Sequence, residues 1–267
     1  MAKQKTCLLV IDPQIDFMEG GNLAVGGATA DMQRLAKMVK SNIEDIDDIH
    51  ITLDSHYYWH IAHPNWWMDK RGNSPKPFET VINVEDVENG TWRPRNPADK
   101  DWALHYVRTL RANKRFALVI WNPHCIIGTP GQAMQPDFLA AVSEWENRFF
   151  GMAPRTTKGS NPFTEHYSAV KADVEFPGDP GTRLNTRFID TLRNYDRIYA
   201  AGEALSHCLN FTMSDVVADF SPEEMKKIYL LEDATSSVGT FEKQGEDFVN
   251  RMVALGMNVT TTDKAFK

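Results

Sequence analysis

Short apolar runs without alternation punctuate the chain. Residues 7–11, 49–53, 116–121, 197–201, 228–231 and 257–261 read as six strands. Unbroken apolar runs suit a parallel sheet that is buried on both faces. Between the runs, apolar positions recur at helical spacing. Met32, Leu35, Met38, Val39 and Ile43 mark a helix within 29–46, and shorter stretches follow at 136–148, 185–193, 208–220 and 241–255. The last of these stops at Gly256, a residue type that suits a helix C-terminus. This β-α alternation predicts an α/β fold: a doubly wound, mostly parallel six-stranded sheet flanked by helices, in one domain over 1–267. Residues 64–101 break the rhythm with many Pro, Trp, Asn and Gly residues and a short strand at 80–82. They form a long insertion after strand two. It is either a lid or interface arm, or a solvated loop with its own cluster of Trp66, Trp67, Phe78 and Trp92.

Composition narrows the partners. The chain has 267 residues, is 42% apolar and carries a formal net charge of -7, with its basic residues scattered. That balance argues against nucleic acid or an anionic membrane and for a small-molecule ligand. The cysteines, Cys7, Cys125 and Cys208, are too few and too far apart for a disulfide framework. No stretch reads as a signal peptide, and no apolar run approaches the roughly 20 residues that cross a bilayer. A reducing, cytoplasmic setting is the expectation. The aromatic-rich insertion is a candidate interface for a homo-oligomer.

In an open parallel sheet, ligands bind beyond the carboxyl ends of the strands. The residues just after the runs are Asp12, then Asp54 and His56, then His124, then Glu203 to Cys208. Cys208 opens a predicted helix, where backbone N–H groups favour a thiolate and can serve as an oxyanion hole. A buried, inert cysteine is the plainer reading of that position. Asp54 and His56, two apart on extended backbone, point to one face. With His124 they form a set suited to zinc, iron or manganese, zinc first, or else a group of hydrogen-bonded histidines. His60 is a fourth ligand or supports one of the others, and His63 reads as an ordinary loop histidine. Asp12 could accept a thiol proton or cap a helix. Lys158 could lower the thiol pKa or sit in solvent.

These segments resemble the nicotinamidases, within the isochorismatase-like cysteine hydrolase superfamily. The resemblance is carried by Asp12-Pro13-Gln14-Ile15-Asp16-Phe17, by Asp54-Ser55-His56 with His60, and by Trp121-Asn122-Pro123-His124-Cys125 through Gly131. It continues in Lys158-Gly159 with Glu165-His166-Tyr167-Ser168-Ala169, in Gly202 through Cys208, and in Glu232-Asp233-Ala234. The resemblance implies hydrolysis of nicotinamide to nicotinate and ammonia, as in NAD salvage, or of a similar heteroaromatic amide. It implies Cys208 as nucleophile, Asp12 as base and Lys158 as supporting cation. Asp54, His56 and His124 would hold one divalent metal. Phe17 and Trp121 would sandwich the ring, with Gln14, Tyr167 and Glu203 also binding substrate. A cis peptide before Ala204 would aim the Ala204 and Cys208 amides at an oxyanion.

The chain departs from the family pattern at Glu203, where an aliphatic residue is usual, at Leu205 and Ser206 in place of threonine and aspartate, and at Asn122. The expectation is that Glu203 or the insertion reshapes the pocket. Other readings are a cysteine amidase with another amide substrate, a vinyl ether hydrolase, or a metal-stabilised binding protein without activity. The metal set and the cysteine argue against the vinyl ether hydrolases, and Asp12, Lys158 and Cys208 together argue against an inactive protein.

Overall fold

Apolar side chains buried on two sides of one strand set the architecture. Strand β1 (Thr6–Ile11) is buried along its whole length. Leu8 and Val10 face a core with Met32, Leu35 and Val39 of helix α1 (Ala28–Ser41) and with Ala103, Tyr106, Val107 and Leu110 of α2 (Lys100–Ala112). Phe138, Val142 and Trp145 of α3 (Pro136–Phe149) complete that face. Cys7, Leu9 and Ile11 face the other core, built from α4 (Thr186–Arg193), α5 (Asn210–Val217) and α6 (Glu242–Ala254). Each fully buried side chain of this kind contributes about 1.5–3 kcal/mol. The computed structural model describes residues 4–267.

The central sheet has six strands, all paired in parallel. After β1 come β2 (Asp48–Asp54), β3 (Arg155–Lys158), β4 (Arg197–Gly202), β5 (Ile228–Leu231) and β6 (Asn258–Thr260). Their spatial order is β6-β5-β4-β1-β2-β3. The order reverses between β1 and β4, and a doubly wound sheet opens its ligand crevice at such a reversal. Gly202 ends β4 there at φ 105, with the Ile11 carbonyl where a Cβ would sit. Only glycine tolerates both that φ and that approach.

One strand differs from expectation. Residues 116–121 do not enter the central sheet. Leu118–Val119 pairs antiparallel with Val81–Ile82 in a separate two-stranded ribbon. The sixth sheet strand is β3, whose sequence Arg-Thr-Thr-Lys carries no apolar signal because it lies at the sheet edge. Helix α2 was also not anticipated. Its apolar positions 103, 106, 107 and 110 do follow helical spacing.

The segment 64–101 is part of the main core. Trp66 and Trp67 are fully buried in the same cluster as Leu8 and Val10, and Trp67 Nε1 donates to the Ile61 carbonyl at 2.6 Å. Among the described residues, no helix is long and apolar enough to cross a membrane. Trp67→Ala is expected to cost about 3–5 kcal/mol of unfolding free energy in a urea titration. A loss below about 1 kcal/mol would show instead that this segment packs independently of the core.

Candidate active site

The reversal between β1 and β4 gathers three charged or nucleophilic side chains around one ammonium. Lys158 ends β3, with its Nζ 3.0 Å from Asp12 Oδ2, 3.1 Å from Asp54 Oδ1 and 3.5 Å from Cys208 Sγ. It also donates to the His166 carbonyl at 2.8 Å. All four side chains are buried. Burial disfavours the ammonium, but Asp12 and Asp54 more than offset it and hold Lys158 protonated, well above its usual 10.5. Burial likewise raises Asp12 above 3.8, while Lys158 and a hydrogen bond from Thr52 Oγ1 (2.6 Å) pull it back.

Cys208 lies inside a π-helical turn, Leu205–Leu209, that leads into α5. Helical structure therefore begins three residues earlier than expected. Burial pushes the thiol well above 9.0. Lys158 lowers it only in part, and Asp12 and Asp54 raise it further. Burial and the two carboxylates thus favour the neutral thiol over the thiolate that a helix N-terminus would favour. A base must take its proton, and an oxygen of Asp12 lies within 4.8 Å of Sγ. The Glu203–Ala204 peptide is cis. The Ala204 N–H donates to no group among the described residues, while its carbonyl accepts from His207 and Leu209.

Asp54 ends β2 and faces two imidazoles. Its Oδ2 is 3.0 Å from His56 Nε2 and 3.3 Å from His124 Nε2. Each ring is turned by a backbone carbonyl on its other nitrogen: Gly159 O for His56 Nδ1 (3.0 Å) and Asn122 O for His124 Nδ1 (2.8 Å). With its proton on Nδ1, each ring can present its Nε2 lone pair to a metal ion, as in histidines that bind metals. His56 Nε2, fully buried, has no hydrogen-bond partner. Ligand atoms of Asp54, His56 and His124 all lie within 4.8 Å of one another. One carboxylate and two neutral imidazoles fit a zinc-like divalent ion with open positions. Although burial disfavours a charged ring, Asp54 and Glu165 lift His56 to about 9, so even the bare site favours a cation at that point.

Other expected residues are placed as follows. Phe17, Trp121 and Tyr167 line the cleft with Leu23, Ala204, His207 and Val238, next to Cys208, Asp54 and His124. Trp121 Nε1 donates to the Tyr167 hydroxyl at 2.8 Å. Between these side chains the free volume is small, about 20 Å³. Trp121 and His124 do not follow a sheet strand. They arrive on a loop fastened by the Asp16 carboxylate, which accepts from Cys125 N at 2.6 Å.

Two of the expected substrate-binding residues do not line the cleft. Gln14 is fully buried and spends its amide on backbone, giving to Asp54 O (2.7 Å) and Gln132 O (2.9 Å) and receiving from Asp54 N (2.7 Å). It clamps β2 to the first loop. Glu203 turns away toward α1, where its Oε2 accepts from Ser236 N at 3.2 Å beside Asp31. Burial and that neighbouring carboxylate raise the Glu203 carboxyl well above 4.5. The departure at 203 therefore does not reach the pocket.

His60 also differs from a free ligand. Its Nδ1 accepts from Ala62 N at 3.2 Å and its Nε2 faces the Thr164 carbonyl at 3.2 Å. His63, read as a loop histidine, is fully buried with its ring 5.4 Å from that of His56. Glu165 and His207 line the cleft and were not singled out from the sequence. Glu165 stood inside a matched motif as an unassigned acid, while His207 carried no signal beyond adjacency to Cys208.

Comparison with known proteins places these features together. No family model matches the chain. A nicotinamidase of Escherichia coli strain K12 is 26% identical over 219 residues, 79% of this chain and 75% of that protein. A nicotinamidase of Acinetobacter baylyi is 25% identical over 217 residues, covering 80% and 76%. The chain is similar to the nicotinamidases. The resemblance read from its motifs is borne out. The solved nicotinamidase/pyrazinamidase of Acinetobacter baumanii shares the fold at TM-score 0.64 and 21% identity, covering 98% of this chain and 99% of that one. The pyrazinamidase of Pyrococcus horikoshii, solved in complex with zinc, shares it at TM-score 0.55 and 19% identity, over 96% and 99%. These likenesses bear out the doubly wound sheet.

Gly159 tests the donor set. At φ 82, a Cβ there would stand 2.6 Å from His56 Cε1 and 2.8 Å from Asp54 Oδ1. Gly159→Ala is expected to weaken zinc binding at least about tenfold in a competition titration with a chromophoric chelator. Wild-type affinity in that variant would contradict the arrangement of His56 and Asp54.

Proposed function

We propose that this chain is a metal-dependent cysteine amidohydrolase that converts nicotinamide, or a closely similar heteroaromatic amide, to the acid and ammonia. The observation that carries the reading is the single ammonium of Lys158 within 3.5 Å of Cys208 and 3.0 Å of Asp12, beside an Asp-His-His donor set. Similarity to nicotinamidases supports the choice of substrate.

Asp12 takes the Cys208 proton as Sγ attacks the carboxamide carbon. Lys158 stabilises the ionised carboxylate before transfer and the thiolate character during it. The N–H groups of Ala204 and Cys208 receive the oxyanion, each worth roughly 3 kcal/mol of barrier. Asp12 returns the proton to the leaving nitrogen, and ammonia departs. Asp12 then draws a proton from water, which cleaves the thioester and restores the thiol. Phe17 and Trp121 flank the ring, and Tyr167 fixes the Trp121 indole. Asp54, His56 and His124 would hold the ion, which supplies a Lewis-acid anchor for a ring nitrogen.

The direct test is ammonia release from nicotinamide. Cys208→Ala and Asp12→Asn are each expected to lower kcat at least about a thousandfold. Chelator should abolish turnover and zinc should restore it. Rapid, chelator-resistant release by Cys208→Ala would contradict the reading, and no release by the wild type from any heteroaromatic amide would remove it. The pH profile is a second check. Burial raises the Asp12 carboxyl, so the base is lost by protonation at higher pH than for a free aspartate. The acid limb of kcat/KM is expected clearly above pH ~4.

A further inference from the structure

The metal end of the cleft holds a second carboxylate without an assigned partner. Glu165 is 3% exposed and lines the cleft beside Asp54 and His124. Its Oε1 lies 3.9 Å from His56 Nε2 and accepts from the backbone N–H of His166 at 2.8 Å. Its Oε2 is buried with no hydrogen-bond partner. An ionised carboxylate out of water and unpaired is strongly unfavourable unless a cation faces it.

Charge bookkeeping points the same way. The buried cluster contains three carboxylates, Asp12, Asp54 and Glu165, faced by the Lys158 ammonium and the His56 ring, so carboxylates outnumber the cationic groups. His60 is poorly equipped to be a further donor. Accepting from Ala62 N on Nδ1 forces its proton onto Nε2, where it meets the Thr164 carbonyl, so no lone pair remains. His63 has a free Nε2 but is absent from the sets of three donor atoms lying within 4.8 Å of one another. Glu165 belongs to one of them, with His56 and His60.

We infer that Glu165, rather than His60, is the fourth side chain that faces the metal ion. The inference deepens the metal reading above and rests on it. Glu165 is a positioning residue: its charge tightens the ion against Asp54, His56 and His124.

The test is zinc affinity, read by chelator competition on metal-stripped protein, with circular dichroism to check folding. Glu165→Gln is expected to weaken zinc binding about 10- to 100-fold, while His60→Gln changes it less than about threefold. Glu165→Asp, still charged but shorter, should fall between Glu165→Gln and the wild type, and it decides the matter if Glu165→Gln does not fold. Affinity within about threefold of wild type in the Glu165 variants would overturn the assignment, and so would a larger loss in His60→Gln than in Glu165→Gln. Asp54→Asn separates the two levels. If the wild type binds no zinc, or binds it equally well after Asp54→Asn, the metal reading itself fails. If binding depends on Asp54 but not on Glu165, only the present inference does.

Discussion

One buried ammonium holds the candidate site together. Lys158 touches Asp12, Cys208 and Asp54 at 3.0, 3.5 and 3.1 Å. Breaking a buried ion pair by removing one partner costs about 3–5 kcal/mol, because the charge left behind keeps its desolvation. Here one lysine serves two carboxylates, so Asp12 and Asp54 share one ammonium. This also explains why β3 belongs in the sheet despite its polar sequence. Pairing Asp54 with Lys158 in register with β2 is what delivers the ammonium to the strand ends.

The sheet order does the rest. Asp12 leaves β1, Cys208 follows β4, and the order reverses between those two strands. Asp12 and Cys208 therefore flank one crevice although they are far apart in sequence. The Ile11 carbonyl packed against Gly202 keeps the two chain exits in contact. Neither Asp12 nor Cys208 is activated by local sequence. Burial raises both, and only their shared neighbourhood makes proton transfer between them feasible.

Five of the six sheet strands were legible because apolar runs report burial. Residues 116–121 failed for the same reason. The run is buried, but burial does not say which sheet a strand joins. β3 was hidden because an edge strand needs little apolar surface. In the site, strand-end position and residue type singled out Asp12, Asp54, His56 and Cys208, whereas His124 was read after a run that does not join the central sheet and Lys158 only from its motif, because β3 was hidden. Side-chain direction did not follow. Gln14 and Glu203 sit at the right places in the chain but turn into backbone clamps and toward α1. His60 and His63 differ only in which backbone carbonyls and amides reach their rings, and spacing carries no trace of that.

The claim that Asp12 and Asp54 share one ammonium is open to a double-mutant cycle. Unfolding free energies of metal-stripped wild type, Lys158→Met, Asp12→Asn and the double variant would be measured in urea. The account predicts that Asp12→Asn recovers much of the stability lost in Lys158→Met, with a coupling energy above about 1.5 kcal/mol. Effects that simply add, within about 0.5 kcal/mol, would contradict it.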